Sequence, residues 1–455
     1  MKLFVFHCLA VSSLTLSMLS HAETRPGYGG TLRLSMHAAP STLDPADSRV
    51  PDSFARRSLT SLIFDTLVVV DDAGRTKPGL AESWQAAKGS QRWQFRLRHG
   101  VKFHDGTPLT SEIVAASLRF ANPGWSVRAD ADSVTVDSET SQPELPVEVA
   151  LPRNSIAKRD GQETLSGTGP FRILDWQPGK KLTLAAEEDC WRGRPFLDGI
   201  EVEMGRSLHD QSTALEVGRA DLIEVAPEQS HHFSPAKGRL ESSQPVELIV
   251  LAFARESSSP DDKLLRNALA LSVERGSIQS VLLQGAGQAA GGLLPTWISG
   301  YGFVFPSQAD LQKARQLRDQ VQTARLWTLG YDASDPLARL LVERIALNAK
   351  DAGLSLVPTA VGLTDLRLLR IPLACADPWI ALENIGAQTD LPRAQNKWSS
   401  AEELFAAEKA ALATDRVIPL FHLPVFYAAT SNLKNWTLRN NGSLELSNAW
   451  LGAAK

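Results

Sequence analysis

Apolar and polar residues alternate with period two at several points along the chain. Leu32, Leu34 and Met36 alternate with Arg33, Ser35 and His37, and Trp93, Phe95 and Leu97 with Gln94, Arg96 and Arg98. Ile200, Val202 and Met204 alternate with Glu201 and Glu203. Each run predicts a strand with one wet face. Helical spacing appears between them. From Thr110, the residues Ile113, Val114, Ser117 and Leu118 share one face. Leu264, Leu265, Ala268 and Leu269 follow Asp261 and Asp262, whose carboxylates suit the positive end of a helix dipole. Leu337, Leu340, Leu341, Ile345 and Asn348 track a third helix, with Gly353 as its stop. Strands and helices interleaved over the whole chain predict an α/β architecture. No internal repeat is found. Turn residues cluster at 121–146, 226–245 and 284–310, the candidate seams.

The stretch LRHGVKFHDGTPLTSEIV (97–114) poses a choice between a catalytic His104–Asp105 pair and a structural corner. RWQFRLRHGVKF predicts a strand hairpin turning at His99-Gly100. In HDGTP, Asp and Gly accept unusual dihedrals and Pro108 fixes φ before the next element. Thr110 is placed as an N-cap with Glu112 in the first turn. Catalysis needs a nucleophile and an oxyanion site that adjacency does not supply. The corner is the stronger reading.

The N-terminus adds a compartment. Lys2 precedes an apolar run from Leu3 to Leu19, followed by Ser20-His21-Ala22, which predicts a secretory signal cleaved after Ala22. The run is diluted by His7, Ser12, Ser13, Thr15 and Ser17 and falls short of the ~20 apolar residues of a membrane span. No later stretch is long and apolar enough. The formal net charge of -4 becomes about -5 once the leader and its single lysine are removed. With no basic block, nucleic-acid binding has no electrostatic support. The length exceeds what one core supports, so two or three domains are expected. Cys190 and Cys375 remain after cleavage; they form no disulfide framework and are expected as free thiols.

Catalytic motifs fail on context. GAGQAA (285–290) follows a helical run, whereas the dinucleotide fingerprint follows a strand. SPAK places Ser234 three before Lys237, without the companion motifs of that chemistry. His231 and His232 are adjacent and point apart on any regular element. No nucleophile elbow, zinc-protease helix, P-loop or paired Cys-x-x-Cys is present, and no cofactor is expected. Tryptophans number 11 against 4 tyrosines, and such large amphipathic rings serve both in cores and in cleft walls. Trp84, Trp93 and Trp176 are expected in cores; Trp297, Trp327 and Trp379 lie beside loops and are candidates for a cleft wall.

Taken together, the corners resemble the extracellular solute-binding proteins of ABC importers, family 5, the group containing the oligopeptide- and dipeptide-binding periplasmic proteins. GGTLRLSMHAAPSTLDPADS (29–48), IFDTLVVVDDAGRTKPGLAESW (63–84) and QFRLRHGVKFHDGTPLTSEIVAASL (94–118) match in family order. GTGPFRILDWQPGKKLTL (167–184), ALEVGRADLIE (214–224), LLRNALALSVERGSI (264–278) and VIPLFHLPVFYA (417–428) continue it. The resemblance covers essentially the whole secreted chain.

It implies a two-lobed periplasmic binding protein fold, type II and three-domain, closing on a ligand between the lobes. One domain would be discontinuous (23–55, 166–245 and 426–455), a small second would fill 56–165, and the second lobe 246–425. The Asp-Pro region of the family falls on Asp377-Pro378, so Asp377 is implied as the anchor for a peptide's α-amino group, with Trp379 beside it. Leu43 and Asp44 of the first segment and Trp297 complete the implied ligand site. Phe253-Ala254 stands where the family has Asn after Phe, the stretch from Asp377 to Ala401 is short, and the second domain is compact. The implied role is capture of a peptide or similar small solute by a monomer and delivery to a membrane permease, without catalysis. The alternatives are a nickel chelate, opine or oligosaccharide as ligand, a secreted hydrolase using His104 or His422, or a non-transport sensor.

Overall fold

The computed structural model describes residues 25–452, apart from 51–52, 162–163, 234–237, 301, 303, 324, 374–376, 393–397 and 399. The signal segment, the Ser234–Lys237 motif and Cys375 therefore lie outside the described residues. Before the chain first changes lobes its main strands are β1 (Thr31–Ser35), β2 (Ala81–Ala86), β3 (Arg92–Leu97), β4 (Ser126–Ala129) and β5 (Ser133–Asp137). They continue with β6 (Phe171–Gln177), β7 (Lys181–Ala186), β8 (Gly199–Glu203), β9 (Leu222–Val225) and β10 (Arg239–Ser242). Beyond lie β11 (Glu247–Phe253), β12 (Gln288–Ala289), β13 (Leu326–Gly330), β14 (Ser355–Thr359), β15 (Leu366–Pro372), β16 (Val417–Leu423) and β17 (Phe426–Ala429).

They build a seven-stranded sheet in the order β6-β7-β8-β1-β9-β17-β10, a four-stranded sheet β2-β3-β5-β4 and a six-stranded sheet β12-β16-β11-β15-β13-β14. The first lobe carries helix α1 (Phe54–Ile63), whose Leu59, Leu62 and Ile63 pack into the core of the seven-stranded sheet with Leu32, Leu34 and Phe171. The four-stranded sheet packs on α2 (Ser111–Ala121), capped by the Thr110 hydroxyl as its spacing predicts. In the six-stranded sheet, β11 is buried along its entire length, as suits a strand covered on both faces. Ile249, Leu251 and Phe253 face α3 (Pro260–Ser272) and α4 (Pro336–Asp351). Leu248, Val250 and Ala252 face α5 (Pro378–Thr389) and α6 (Ala401–Leu412). Its neighbour β16 contains Pro419, tolerated because the β11–β16 register shifts there.

The two large sheets are joined by a two-stranded ribbon. β10 runs into β11 through Ser243–Val246, and β16 into β17 through Pro424-Val425. The crossings are tied side by side: Ser243 N–H donates to Val425 O at 3.0 Å and Val246 N–H to Leu423 O at 2.9 Å. Val425 N–H donates to the Ser243 hydroxyl at 3.1 Å.

Three local expectations are corrected. The hairpin at 92–103 does not form: β3 pairs with β2 and β5 instead. The arm 101–103 folds back on 107–109, with Phe103 N–H bonded to Thr107 O and Leu109 N–H to Val101 O, which buries Val101 and Phe103. The candidate seam 121–146 is not a linker, since β4 and β5 lie within it. Trp327, a candidate for a cleft wall, is 1% exposed in the core beneath β11, edge-on to Phe253. Trp84, Trp93 and Trp176 are half-buried and border their cores.

Candidate functional site

The site is assembled from the segment around Pro45 that follows β1, helix α1, the loop 145–155, Trp297 of the segment 291–299 and helix α5. Two adjoining cavities lie where these meet. One, of about 390 Å³, is lined by Pro45, Arg56, Arg57, Trp379, Glu383 and Asn384 among others. The second, of about 160 Å³, is lined by Asp65, Arg192, Trp297, Arg439 and Asn440 among others. Arg57, Thr60, Leu151 and Pro152 belong to both, so the two are compartments of one cleft between the lobes.

Arg56 and Arg57 sit in the first turn of α1, where positive charge opposes the helix dipole. Partners elsewhere explain them. Arg56 donates to the carbonyls of Asp44, Pro45, Asp47 and Val50, pinning the segment that follows β1. Arg57 is 2% exposed and its Nη1 donates to Leu373 O at 2.9 Å, a bond from the first lobe to the second.

Asp65, just beyond α1, accepts from Thr168 Oγ1 and Trp191 Nε1 at 2.9 Å each and from Arg192 at 2.5 Å. It ties the cleft floor to the Gly167–Phe171 turn. That turn packs against the end of α1 so closely that a Cβ on Gly167 would lie 1.9 Å from Ile63 O. His104 belongs to the same joint. Its Nε2 lies 2.9 Å from Gly169 O, its N–H donates to Gly167 O, and burial holds its pKa below the ordinary value. Asp105 is engaged by Lys158 and Thr107. The corner joins the small sheet to α1.

The residues named from sequence are distributed as follows. Trp379 lines the larger cavity and lies 4.9 Å from the Trp398 ring. Trp297 lines the smaller one and donates from Nε1 to Pro245 O in the hinge ribbon at 2.8 Å. Asp377 is the N-cap of α5: its carboxylate accepts from Ile380 N–H at 3.1 Å, at the mouth of the helix whose first turns wall the larger cavity. Asp44 is paired with Arg159 at 2.6 Å, and Leu43 is buried in the seven-stranded core; neither lines the cavities, which Pro45 next to them does. Arg57, Glu383, Asn384 and the loop 439–447 went unread. Two arginines against a helix dipole were the available signal for Arg57. Residues 439–447, the turn and second arm of a short hairpin in which Thr437–Leu438 pairs with Leu444–Glu445, reach the cleft through contacts such as Asn440 N–H to Asp72 at 3.2 Å. Within it, burial pushes the Glu445 carboxyl up, but Arg439 and Ser447 hold it below the usual range.

Two lobes, two sheets joined by a paired ribbon and a cleft between them define a type II periplasmic binding protein. The chain matches, over residues 75–364, the family described as bacterial extracellular solute-binding proteins, family 5 Middle, and it belongs to that family. Among its curated relatives is the nickel-binding protein NikA of Staphylococcus aureus, 27% identical over 236 residues, covering 49% of this chain and 46% of that protein. The peptide transport periplasmic protein SapA of Salmonella typhimurium is 24% identical over 286 residues, 52% of each. The chain thus spans about half the length of the curated relatives it first matches. In fold it is similar to the periplasmic binding protein DppA of Helicobacter pylori, solved in complex with the peptide STSA. That structure has a TM-score of 0.80 at 19% identity, over 94% of this chain and 99% of that one. NikA and DppA are described as binding proteins and SapA as a peptide transport protein. Among the described residues no helix is long and apolar enough to cross a membrane.

Proposed function

We propose that the chain is the secreted solute-binding component of an ABC importer, without catalytic activity, capturing a small peptide or a polar solute of similar size for a membrane permease. The carrying observation is the cleft, bridged from lobe to lobe by Arg57 and lined by both. Its larger compartment falls within the ~300–1,000 Å³ of small-molecule sites. A wall of tryptophan with arginine and carboxylate suits a ligand carrying both charge signs. The family membership and the relatives' roles in nickel binding and peptide transport support the class. The domain scheme goes with this reading: a discontinuous first domain, a small second one centred on the four-stranded sheet, and a second lobe at 246–425. The packing of α1 in the seven-stranded core supports counting that helix with the first domain, so that its first segment runs past residue 55.

Asp377 is the anchor for a ligand ammonium in this scheme, with Trp379 as the apolar wall. The test uses the protein as purified. Native mass spectrometry should reveal a co-purified small solute, and adding that solute should raise the melting temperature by mass action. Release of no solute, with no thermal response to di- and tripeptides, nickel–histidine, opines or oligosaccharides, would overturn the reading.

A further inference from the structure

We propose that Glu408 is a positioning residue for the cleft: through Leu293 and Leu294 it fixes the segment that carries Trp297, and its ionisation tightens that wall. This rests on the cleft as the ligand site. Glu408 lies on α6, fully buried, and its Oε1 accepts from the backbone N–H groups of both Leu293 and Leu294, the latter at 3.1 Å. The other side of Leu293 is held as well: its carbonyl meets Nε2 of buried His422 on β16 at 3.1 Å. One residue is thus gripped at N–H and C=O by two buried titratable side chains.

The grip is transmitted over a short, stiff path. Gly292 lies so close that a Cβ there would come within 2.7 Å of the Glu408 Oε1. After Leu294, Pro295 fixes φ, and Thr296–Ser299 makes one helical turn closed by Gly300 in the left-handed region. Trp297 is in that turn, one face to the cleft and its Nε1 on the hinge carbonyl of Pro245. The ionisable groups on α6 and on the elements packed against it include Glu402, Glu403 and Lys409 on α6 itself, Glu247 on β11, His422 on β16, Glu383 on α5 and the Arg416–Asp390 pair beside β16. Burial raises Glu408 to about 7 against the two amides, so it titrates near neutrality. Ionised, it makes charge-assisted bonds to those amides; protonated, weaker ones.

The test needs no ligand, so its failure is distinct from failure of the transport reading. The emission of Trp297, isolated as wild type minus Trp297→Phe, should titrate with a midpoint near pH 7 and become flat in Glu408→Gln. In Glu408→Ala, acrylamide quenching of Trp297 should rise about twofold and Leu293 and Leu294 amide exchange quicken by tenfold or more, with Glu408→Gln restoring most of the protection. If the alanine variant fails to fold, the glutamine titration decides alone. A Trp297 signal that titrates identically in Glu408→Gln, or is indifferent to pH in wild type, would overturn the proposal.

Discussion

Glu408 and His422 pull stability in opposite directions with pH. Burial raises the first from 4.5 to about 7 and lowers the second from 6.5 to about 4. Between those limits folded Glu408 keeps a proton that the unfolded chain loses, so its contribution falls as pH rises. Folded His422 lacks a proton that the unfolded chain holds, so its contribution grows as pH rises. Glu408→Gln leaves the histidine slope unopposed. Relative to wild type, its unfolding free energy should climb by about 1 kcal/mol per pH unit from roughly pH 5 to 6.5. Denaturant unfolding at a few pH values measures this; parallel curves would show Glu408 ionised throughout. Glycines give a second residue-scale contrast. Gly167→Ala drives a methyl into Ile63 O and should cost about 3 kcal/mol or more. Gly106, at φ +81° with open space around it, should cost about 1–2 kcal/mol. Equal losses at the two sites would refute the packing account.

At the scale of elements, α5 separates two roles of one carboxylate. Asn caps a helix as well as Asp, so Asp377→Asn should leave the unliganded melting temperature nearly unchanged while costing an ammonium-bearing ligand about 2–5 kcal/mol. Asp377→Ala should lose about 1 kcal/mol of stability in addition. Calorimetry and thermal melts of both variants read the two effects; undiminished binding in Asp377→Asn would take the carboxylate out of the site. The elements read best were those with one wet face and a cap in sequence: β1, β3, β8, α2 and α4. β11 gave no alternation because both its faces are covered. The arm at 101–103 was misread because its apolar alternation is satisfied by folding back across HDGT, not by pairing with β3. Of the site, Trp297 and Trp379 were legible as large rings beside loops. Arg57 and the loop 439–447 reach the cleft through tertiary contacts that no local pattern encodes.

For the whole molecule, the ribbon at 243–246 and 424–425 is the place where the lobes can move, and Arg57 to Leu373 O is a bond made between them. Ligand should reduce the radius of gyration in solution scattering. Arg57→Ala should shift the unliganded protein toward the open form and weaken binding by about tenfold, 1.4 kcal/mol. An unchanged radius with a saturating ligand would argue against hinge closure. Cys190 is a free thiol, buried, with its pKa raised by that burial. It should resist alkylation in the native protein and react after denaturation without reductant.

The place of β17 bears on how the chain is made. It lies between β9 and β10 in the seven-stranded sheet, pairing with both, yet it is synthesised after the entire six-stranded lobe. Until residues 426–429 leave the ribosome, β10 has no neighbour and the first lobe is an unsealed sheet. The second lobe is one uninterrupted stretch, but β16, between β12 and β11 in its sheet, is completed only at residue 423. Contacts so distant in sequence form slowly. A nascent chain should therefore stay protease-sensitive in both lobes until these last strands emerge, and so remain threadable through an export channel until translation is almost done.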